Sequence, residues 1–413
     1  MIKGFDEHVR KSFERLSSKL YSIENIWQND GYEWAGDWEG RALLAFVCLY
    51  EITGEKIPCM DKMLEEFPLR LNEKGYLGAV QKGVADEQQL SGHSWLLRGL
   101  TEYFKVFKTQ KSLDIARGVV EGLFLPLVDL YEKYPTERAD SSEGGVSGNS
   151  KETVDGWKLS TDVGCAYMCL DGLSAYYEIT GDERVKTAVN RLIDGFMRLD
   201  RLKMKCQTHA TLSATRGIIR MYKATGERGY LEKAEELFGL YTRCGMTLTY
   251  ENFNWFERKD SWTEPCAVVD SFIVAVWLFE ITKNQEYKTL ASRIWFNGLL
   301  FCHRENGGAG PNSCVTAEQP YLKISMYEAP FCCTMRYCEG LLFAKNYESV
   351  VETSNEITSD EYGRIFIGNE MLALSEDGAF ENVETVVVGG TTYIKIPTLV
   401  KDTSAKLKVV GLR

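Results

Sequence analysis

Apolar residues fall three and four positions apart over most of this chain, the spacing of helices that bury one face. One block recurs: an apolar helix, then an aromatic residue and a Thr-Gly step, then a second helix. It is written as LLAFVCLYEITGEK (43–56), LLRGLTEYFKVFKTQKSLDIA (96–116) and LDGLSAYYEITGDERVKTA (170–188). It returns as SATRGIIRMYKATGERGYLEKA (213–234) and DSFIVAVWLFEITKNQEYKTLA (270–291). The turn, Thr-Gly or its Phe-Lys and Thr-Lys variants, advances by 54, 73, 45 and 57 residues. Glycine there supplies a left-handed helix end, and the acidic residue after it suits the start of the next helix.

A helical hairpin cannot bury its apolar face alone, so successive hairpins must stack. Spacings of about 34 residues would point to a tetratricopeptide solenoid. The longer spacings, with Trp-, Tyr- and Gly-rich connectors, predict a mainly α chain, an (α/α)6 toroid of helical hairpins. Its connectors would build a cleft at one end; an open helical-repeat scaffold is the alternative. From about residue 350 the texture changes. GRIFIGNEMLAL, NVETVVVGG, TTYIKIPTLV and AKLKVV are short, β-branched and punctuated by glycine, as strands are. The expected organisation is a barrel domain over 1–348 and a small β region over 349–413, too short for a full sandwich.

Composition narrows the class. Hydrophobic residues make up 44% and charged residues 26% of the 413, ordinary for a globular protein. A net charge of −11 argues against nucleic acid or an anionic membrane surface as partner. The N-terminal MIKGFDEHVRKSFERLSSKL reads as an amphipathic helix rather than a signal peptide. The most apolar window, AVVDSFIVAVWLFEI, is interrupted by Asp270 and too short for a membrane span. A cytoplasmic, reducing location is therefore expected, with the 12 cysteines as thiols or ligands rather than disulfides.

There are four histidines. His8, on the polar N-terminal helix, is expected at the surface, and His303, in FCHREN, at the surface or in a capping role. His93, in LSGHSWLLRGL, and His209, in CQTHATLSATRG, open helices at matching repeat positions, from which they can reach a central cleft. Glu264 and Cys266, in DSWTEPCAVVDS, stand two residues apart ahead of a helix. Sixty-six residues after Cys266, EAPFCCTMRYCEG (328–340) holds Cys332 and Cys333 side by side, with Cys338 further on. One carboxylate and three thiolates make a plausible tetrahedral zinc set; buried free thiols are the alternative. Glu251, in LTYENFNWFERKD, stands among Tyr250, Phe253, Trp255 and Phe256, surroundings that desolvate a carboxyl and suit it to general-acid work. Aromatic rings also stack on sugars. That makes Trp255, and Trp34, Asp37 and Trp38 of GYEWAGDWEGRA (31–42), candidate substrate contacts; solvated loops packed over their aromatics are the alternative.

The hairpins, a Gly-His opening a helix, Glu-x-Cys-Ala and a later Cys-Cys, in this order, resemble the bacterial β-L-arabinofuranosidase family. Its members are six-hairpin glycoside hydrolases that carry zinc and use a cysteine nucleophile. The resemblance covers roughly residues 30–350, and IWFNGLL (294–300) resembles the family's helix between the two ligand clusters. It implies Zn2+ held by Glu264, Cys266, Cys332 and Cys333. It further implies Cys332 as nucleophile, Glu251 as acid/base and His93 near the sugar. The expected partner is a glycoside or small oligosaccharide, and a homo-oligomer is compatible with all of this. The chain departs from the family in three places. Thr334-Met335-Arg336 follows the cysteine pair where Pro-Pro-Asn is usual, DVGCAYMCLDGL lacks a histidine, and there is no room for complete C-terminal sandwiches. Rival readings are another α/α-toroid carbohydrate enzyme, such as an unsaturated uronide hydrolase, lyase or epimerase, and a non-catalytic carbohydrate- or protein-binding toroid with structural zinc.

Overall fold

The computed structural model describes residues 4–27, 33–137, 147–351, 353–375, 384–396 and 406–409. Gly31 and Tyr32 of the first aromatic connector, Asn382 and Val383, and PTLV (397–400) lie outside the described residues. The chain forms two compact units. One comprises Leu16–Tyr241 with Trp255–Glu257; the other comprises Met1–Arg15, Thr242–Asn254 and Arg258–Arg413.

After the N-terminal α1 (Phe5–Leu16), the larger unit is built from hairpins: α2 (Asp37–Thr53) with α3 (Met60–Arg70), α4 (Glu87–Phe107) with α5 (Gln110–Val119), and α6 (Cys169–Thr180) with α7 (Glu183–Met197). The fourth is α8 (Thr208–Thr225) with α9 (Arg228–Cys244). The two helices of a hairpin differ in kind. In α7 the buried residues Val185, Ala188, Val189, Leu192, Ile193 and Phe196 trace a single stripe. In α8 fourteen consecutive residues, from Thr208 to Met221, are buried, so the first helix has no solvent face until its last turn. A three-stranded sheet accompanies these helices: β1 (Ala85–Asp86) pairs parallel with β3 (Trp157–Ser160), which pairs antiparallel with β2 (Ser150–Val154).

The repeated turn works as its sequence predicts. Gly54, Gly181 and Gly226 take φ of 77°, 61° and 74°, and their N–H groups close back on Tyr50, Tyr177 and Tyr222. In the variants without glycine, Lys108 (φ 53°) and Lys283 (φ 60°) adopt the same left-handed conformation at a steric cost. The next helix is capped by its own first polar residue: Asp182 accepts from the Arg184 N–H and Asn284 from the Glu286 N–H.

The second unit holds the hairpin α10 (Pro265–Thr282) and α11 (Gln285–Arg293), the helix α12 (Met335–Asn346) and the C-terminal strands. At 18 residues α10 is longer than the sequence window suggested, long and apolar enough to pass for a membrane span. It is instead a core helix, 78% buried, and Asp270 in its second turn pairs at 2.5 Å with Arg336 of α12. Strands β4 (Tyr321–Leu322), β5 (Ile357–Ser359), β6 (Ile365–Ile367), β7 (Glu370–Ser375), β8 (Thr385–Val388), β9 (Thr391–Lys395) and β10 (Leu407–Val409) form an antiparallel sheet ordered β4-β10-β7-β6-β5, with β9 beside β7 and β8 beside β9. Asn297, in IWFNGLL, ties this sheet to the helices. Its amide donates to Asn369 O and its oxygen accepts from the Met371 N–H at 2.6 Å.

His8 and His303 correct the surface expectation. Both are buried, because His8 falls on the same stripe of α1 as Phe5, Val9 and Ser12, three and four residues apart. The two Nδ1 atoms lie 2.6 Å apart, Ser12 Oγ meets His303 Nε2 at 3.1 Å, and the His303 ring stacks on Tyr337. Burial pushes His8 down to about 4, so the pair is held neutral.

Candidate active site and metal centre

Glu251 sits on a connector whose backbone is fixed before its side chain is placed. Tyr250, just before it, takes a left-handed φ of 63°, a strained conformation for a bulky residue. Its hydroxyl accepts from Arg293 Nη1 at 2.9 Å, and Arg364, from the β5–β6 turn, lies over its ring and donates to Leu248 O. Gly298 makes room for it: a Cβ there would sit 2.7 Å from Tyr250 O. The small β region thus braces the connector that carries Glu251.

The carboxyl of Glu251 is fully buried. Oε1 accepts from Asn312 Nδ2 at 2.7 Å and Thr263 Oγ1 at 3.1 Å, and Cys302 Sγ lies at 3.7 Å. Oε2 accepts from Thr249 Oγ1 at 3.1 Å. Burial pushes the carboxyl up to about 7, against the pull of Asn312, Thr263, Thr249 and the Arg304 charge. The desolvation expected from the sequence is present, but those named partners are polar groups rather than the neighbouring aromatics. Trp255 belongs to the other unit, where it is buried and its indole N–H donates to Thr161 O.

The sulfur cluster is built on two helices. Cys266 is in the first turn of α10, after Pro265, and Cys332 and Cys333 lie on a π-helical turn, Pro330–Thr334, that runs into α12. Single π turns inside helices often mark functional sites. Cys266 Sγ is 3.3 Å from Cys332 Sγ and 3.8 Å from Cys333 Sγ, and all three sulfurs lie within 4.8 Å of one another. A carboxylate oxygen of Glu264 is within 4.8 Å of Cys266 Sγ. The Glu264 N–H donates to Asn252 Oδ1 at 2.7 Å, which holds this turn to the Glu251 connector. Two zinc–sulfur bonds of about 2.3 Å at a tetrahedral angle set sulfurs roughly 3.8 Å apart, so the donor types and spacing fit a metal ion. Burial and the neighbouring thiols push Cys266 well above its ordinary value. For Cys333 the Cys266 contact pulls downward, but Cys332, burial and the Glu264 charge outweigh it. Cys332 is half-buried, whereas Cys266 and Cys333 are fully buried.

The residues that depart from the family pattern hold this cluster in place. Thr334 Oγ1 accepts from the Ala309 N–H and donates to Glu328, which Arg15 grips with two hydrogen bonds. Arg336 pairs with Asp270 and Glu339, locking the helix after Cys332–Cys333 to α10, which carries Cys266 in its first turn.

The remaining predicted contacts lie in the larger unit. Asp37 accepts from Arg41 Nε at 2.8 Å, Arg41 covers the Trp95 ring at 4.3 Å, and His209 stacks on Trp95. Trp34 donates its indole N–H to Gly148 O, and Trp38 is half-buried. His93 is fully buried, Nε2 accepting from the Leu77 N–H at 3.0 Å and Nδ1 facing Gln89 O at 2.8 Å. The two histidines are not at matching depths. Asp86 caps α4 well ahead of His93, leaving it in the second turn, whereas His209 is the second residue of α8. Sequence reading missed Asn312, Thr263, Thr249 and Arg304; Thr263 stands beside Glu264, Thr249 two residues before Glu251 and Arg304 beside His303, whereas Asn312 lies in no recognised motif.

The profile of the β-L-arabinofuranosidase, GH127 catalytic domain matches residues 10–333. No curated protein matches the chain. Among solved structures, a GH127 β-arabinofuranosidase is similar over 92% of this chain and 62% of its own, at 13% identity and a TM-score of 0.55. Another glycoside hydrolase is similar over 89% and 61%, at 17% identity and a TM-score of 0.53. The GH76A α-1,6-mannanase of a Salegentibacter species is similar over 84% of this chain and all of its own, at 15% identity and a TM-score of 0.53. These likenesses show the fold, mainly α and of the α/α-toroid class with a short C-terminal sheet. The chain spans about three fifths of the first two structures.

Proposed function

The chain belongs to the β-L-arabinofuranosidase GH127 catalytic-domain family, and from that premise we propose that it is a retaining glycoside hydrolase acting on a terminal furanoside such as a β-L-arabinofuranoside. Cys332 is the nucleophile and Glu251 the acid/base. The observation that carries this reading is the three-thiol cluster in which Cys332 is the half-buried residue. A substrate carbon can approach it while Cys266 and Cys333 stay in the core.

Glu264, Cys266, Cys332 and Cys333 would hold the ion, and zinc is the ion proposed, since thiolate-rich sites select it among the commoner divalent metals. Bound there, zinc would favour the deprotonated thiols near neutral pH. The Cys332 thiolate attacks the anomeric carbon as the exocyclic C–O bond breaks. Glu251, protonated at neutral pH or just below, gives its proton to the departing oxygen. The sugar is then held on sulfur and Glu251 is a carboxylate. Water next loses a proton to Glu251 while its oxygen displaces the sulfur, restoring both groups with net retention. The test is a panel of chromogenic furanosides and pyranosides, β-L-arabinofuranoside first, read by product anomer. Hydrolysis with retention that disappears in Cys332→Ala supports the proposal; full wild-type activity in that variant, or no turnover of any panel member, overturns it.

A further inference from the structure

The two oxygens of Glu251 have different neighbours, and donor–acceptor logic assigns each a role. Arg304 is fully buried. Its guanidinium donates to Phe301 O, Gly310 O, Pro311 O, Tyr327 O and, at 2.7 Å, to Asn312 Oδ1. A guanidinium only donates, so the atom that Asn312 turns to it must be the amide oxygen. The NH2 end of Asn312 is thereby locked toward Glu251 Oε1 as a donor. Thr263 Oγ1 is similarly committed: it accepts the Asn312 N–H at 2.8 Å, leaving its own proton to point at Oε1. The Cys302 thiol, which burial and Glu251 hold well above its ordinary value, brings a third proton to the same oxygen. A protonated Oε1 would face these donors. Oε2 instead meets Thr249 Oγ1, a hydroxyl that can accept as well as donate, and that hydroxyl lies 3.0 Å from Thr247 Oγ1.

We propose that Oε1 of Glu251 is a fixed acceptor and that the proton exchanged in catalysis is carried on Oε2, facing Thr249, with Asn312 as the positioning residue that enforces the choice; this rests on the reading of Glu251 as the acid/base. Arg304, Cys302 and Cys314 are charged or titratable groups that interact with the carboxyl. Arg304, which donates to backbone carbonyls and to the Asn312 amide oxygen, also acts through Asn312 by fixing its orientation.

The first test needs no substrate. Carboxyl 13C NMR of glutamate-labelled protein, with the Glu251 signal assigned by its loss in Glu251→Gln, follows the titration directly. Asn312→Ala removes a donor to the carboxylate and raises the midpoint by about one unit; Asn312→Asp, which keeps the shape and the Arg304 contact but sets a second carboxylate at Oε1, raises it further. That order, wild type below Ala below Asp, is not what a merely structural role would produce. A midpoint unmoved in the variants that fold overturns the assignment. The second test reads Oε2. Thr249→Val lowers kcat about tenfold on an alkyl furanoside, whose leaving group needs the proton, and far less on a 4-nitrophenyl furanoside, and Thr249→Ser restores it. Equal losses on both substrates overturn the Oε2 assignment. If the midpoints move in the stated order but wild type cleaves no glycoside, the glycosidase reading fails and the fixed-acceptor assignment of Oε1 stands.

Discussion

Around Glu251, four buried side chains, Thr249, Thr263, Asn312 and Cys302, turn donors toward one carboxyl group. Around Cys266, Cys332 and Cys333, the neighbours are the other thiols and a carboxylate. Both regions lie in one unit and are largely buried, with Cys332 half-exposed, yet they treat charge in opposite ways. The Glu251 cradle can hold either protonation state with its own hydrogen bonds. The thiol cluster cannot: three sulfurs beside Glu264 would repel one another as anions, and only a cation reconciles them. The comparison teaches where each function's control lies. On the proposed reading, the acid would be tuned by polar partners gathered from distant parts of the sequence, and the nucleophile by the metal it would bind.

The largest effect should come from breaking each region at its reactive atom. Cys332→Ala is expected to lower kcat/KM by at least about 10^4-fold on all substrates. Glu251→Gln should cost about 10^2- to 10^4-fold on alkyl leaving groups and less on activated aryl ones, which leave without a proton. Elemental analysis sharpens the contrast: Cys332→Ala should lose metal, and Glu251→Gln should keep it. Next in size is the clamp that sets the sulfur geometry. Asp270→Ala leaves Arg336 without its carboxylate across the two helices and should destabilise the fold by about 3–5 kcal/mol, read as a lowered Tm. The same variant should weaken metal retention while leaving the Glu251 titration in place.

The sulfur region was legible from the chain because its signal is chemical and local. Adjacent cysteines are conspicuous wherever they occur, and Glu-x-Cys opens a helix whose Pro265 marks its first turn. The hairpins were legible too, since a left-handed helix end announces itself as Thr-Gly. The Glu251 cradle was not. Its buried carboxyl could be anticipated from its neighbourhood, but Asn312 stands 61 residues away and carries no distinctive chemistry of its own. Its part depends on Arg304, which no spacing connects to Glu251. His8 departs from its surface expectation for a different reason: although polar, it falls on the buried stripe of α1.

A smaller effect separates the regions by pH. Burial raises the Glu251 carboxyl to about 7 in the folded chain. An unfolded glutamate titrates near 4.5, so between the two the unfolded chain loses its proton first and stability falls as pH rises. The loss amounts to about 3 kcal/mol across that window and levels off above it. Glu251→Gln should abolish this slope, and chemical denaturation at pH 5, 6, 7 and 8 would measure it. A slope unchanged in the variant would assign it to other groups.

The smallest effect distinguishes cysteines within one stretch. Cys338 is fully buried on α12, its Sγ 3.9 Å from Thr334 O one turn back, and it is not among the three sulfurs that cluster. Its role is packing, so Cys338→Ala removes one buried sulfur and should cost about 1 kcal/mol. Metal content and kcat/KM should match wild type. Cys333→Ala deletes a residue of the same size from the same stretch, and should release the metal as Cys332→Ala does. If Cys338→Ala also released it, the sulfur region would extend along α12 and its contrast with the Glu251 cradle would have to be redrawn.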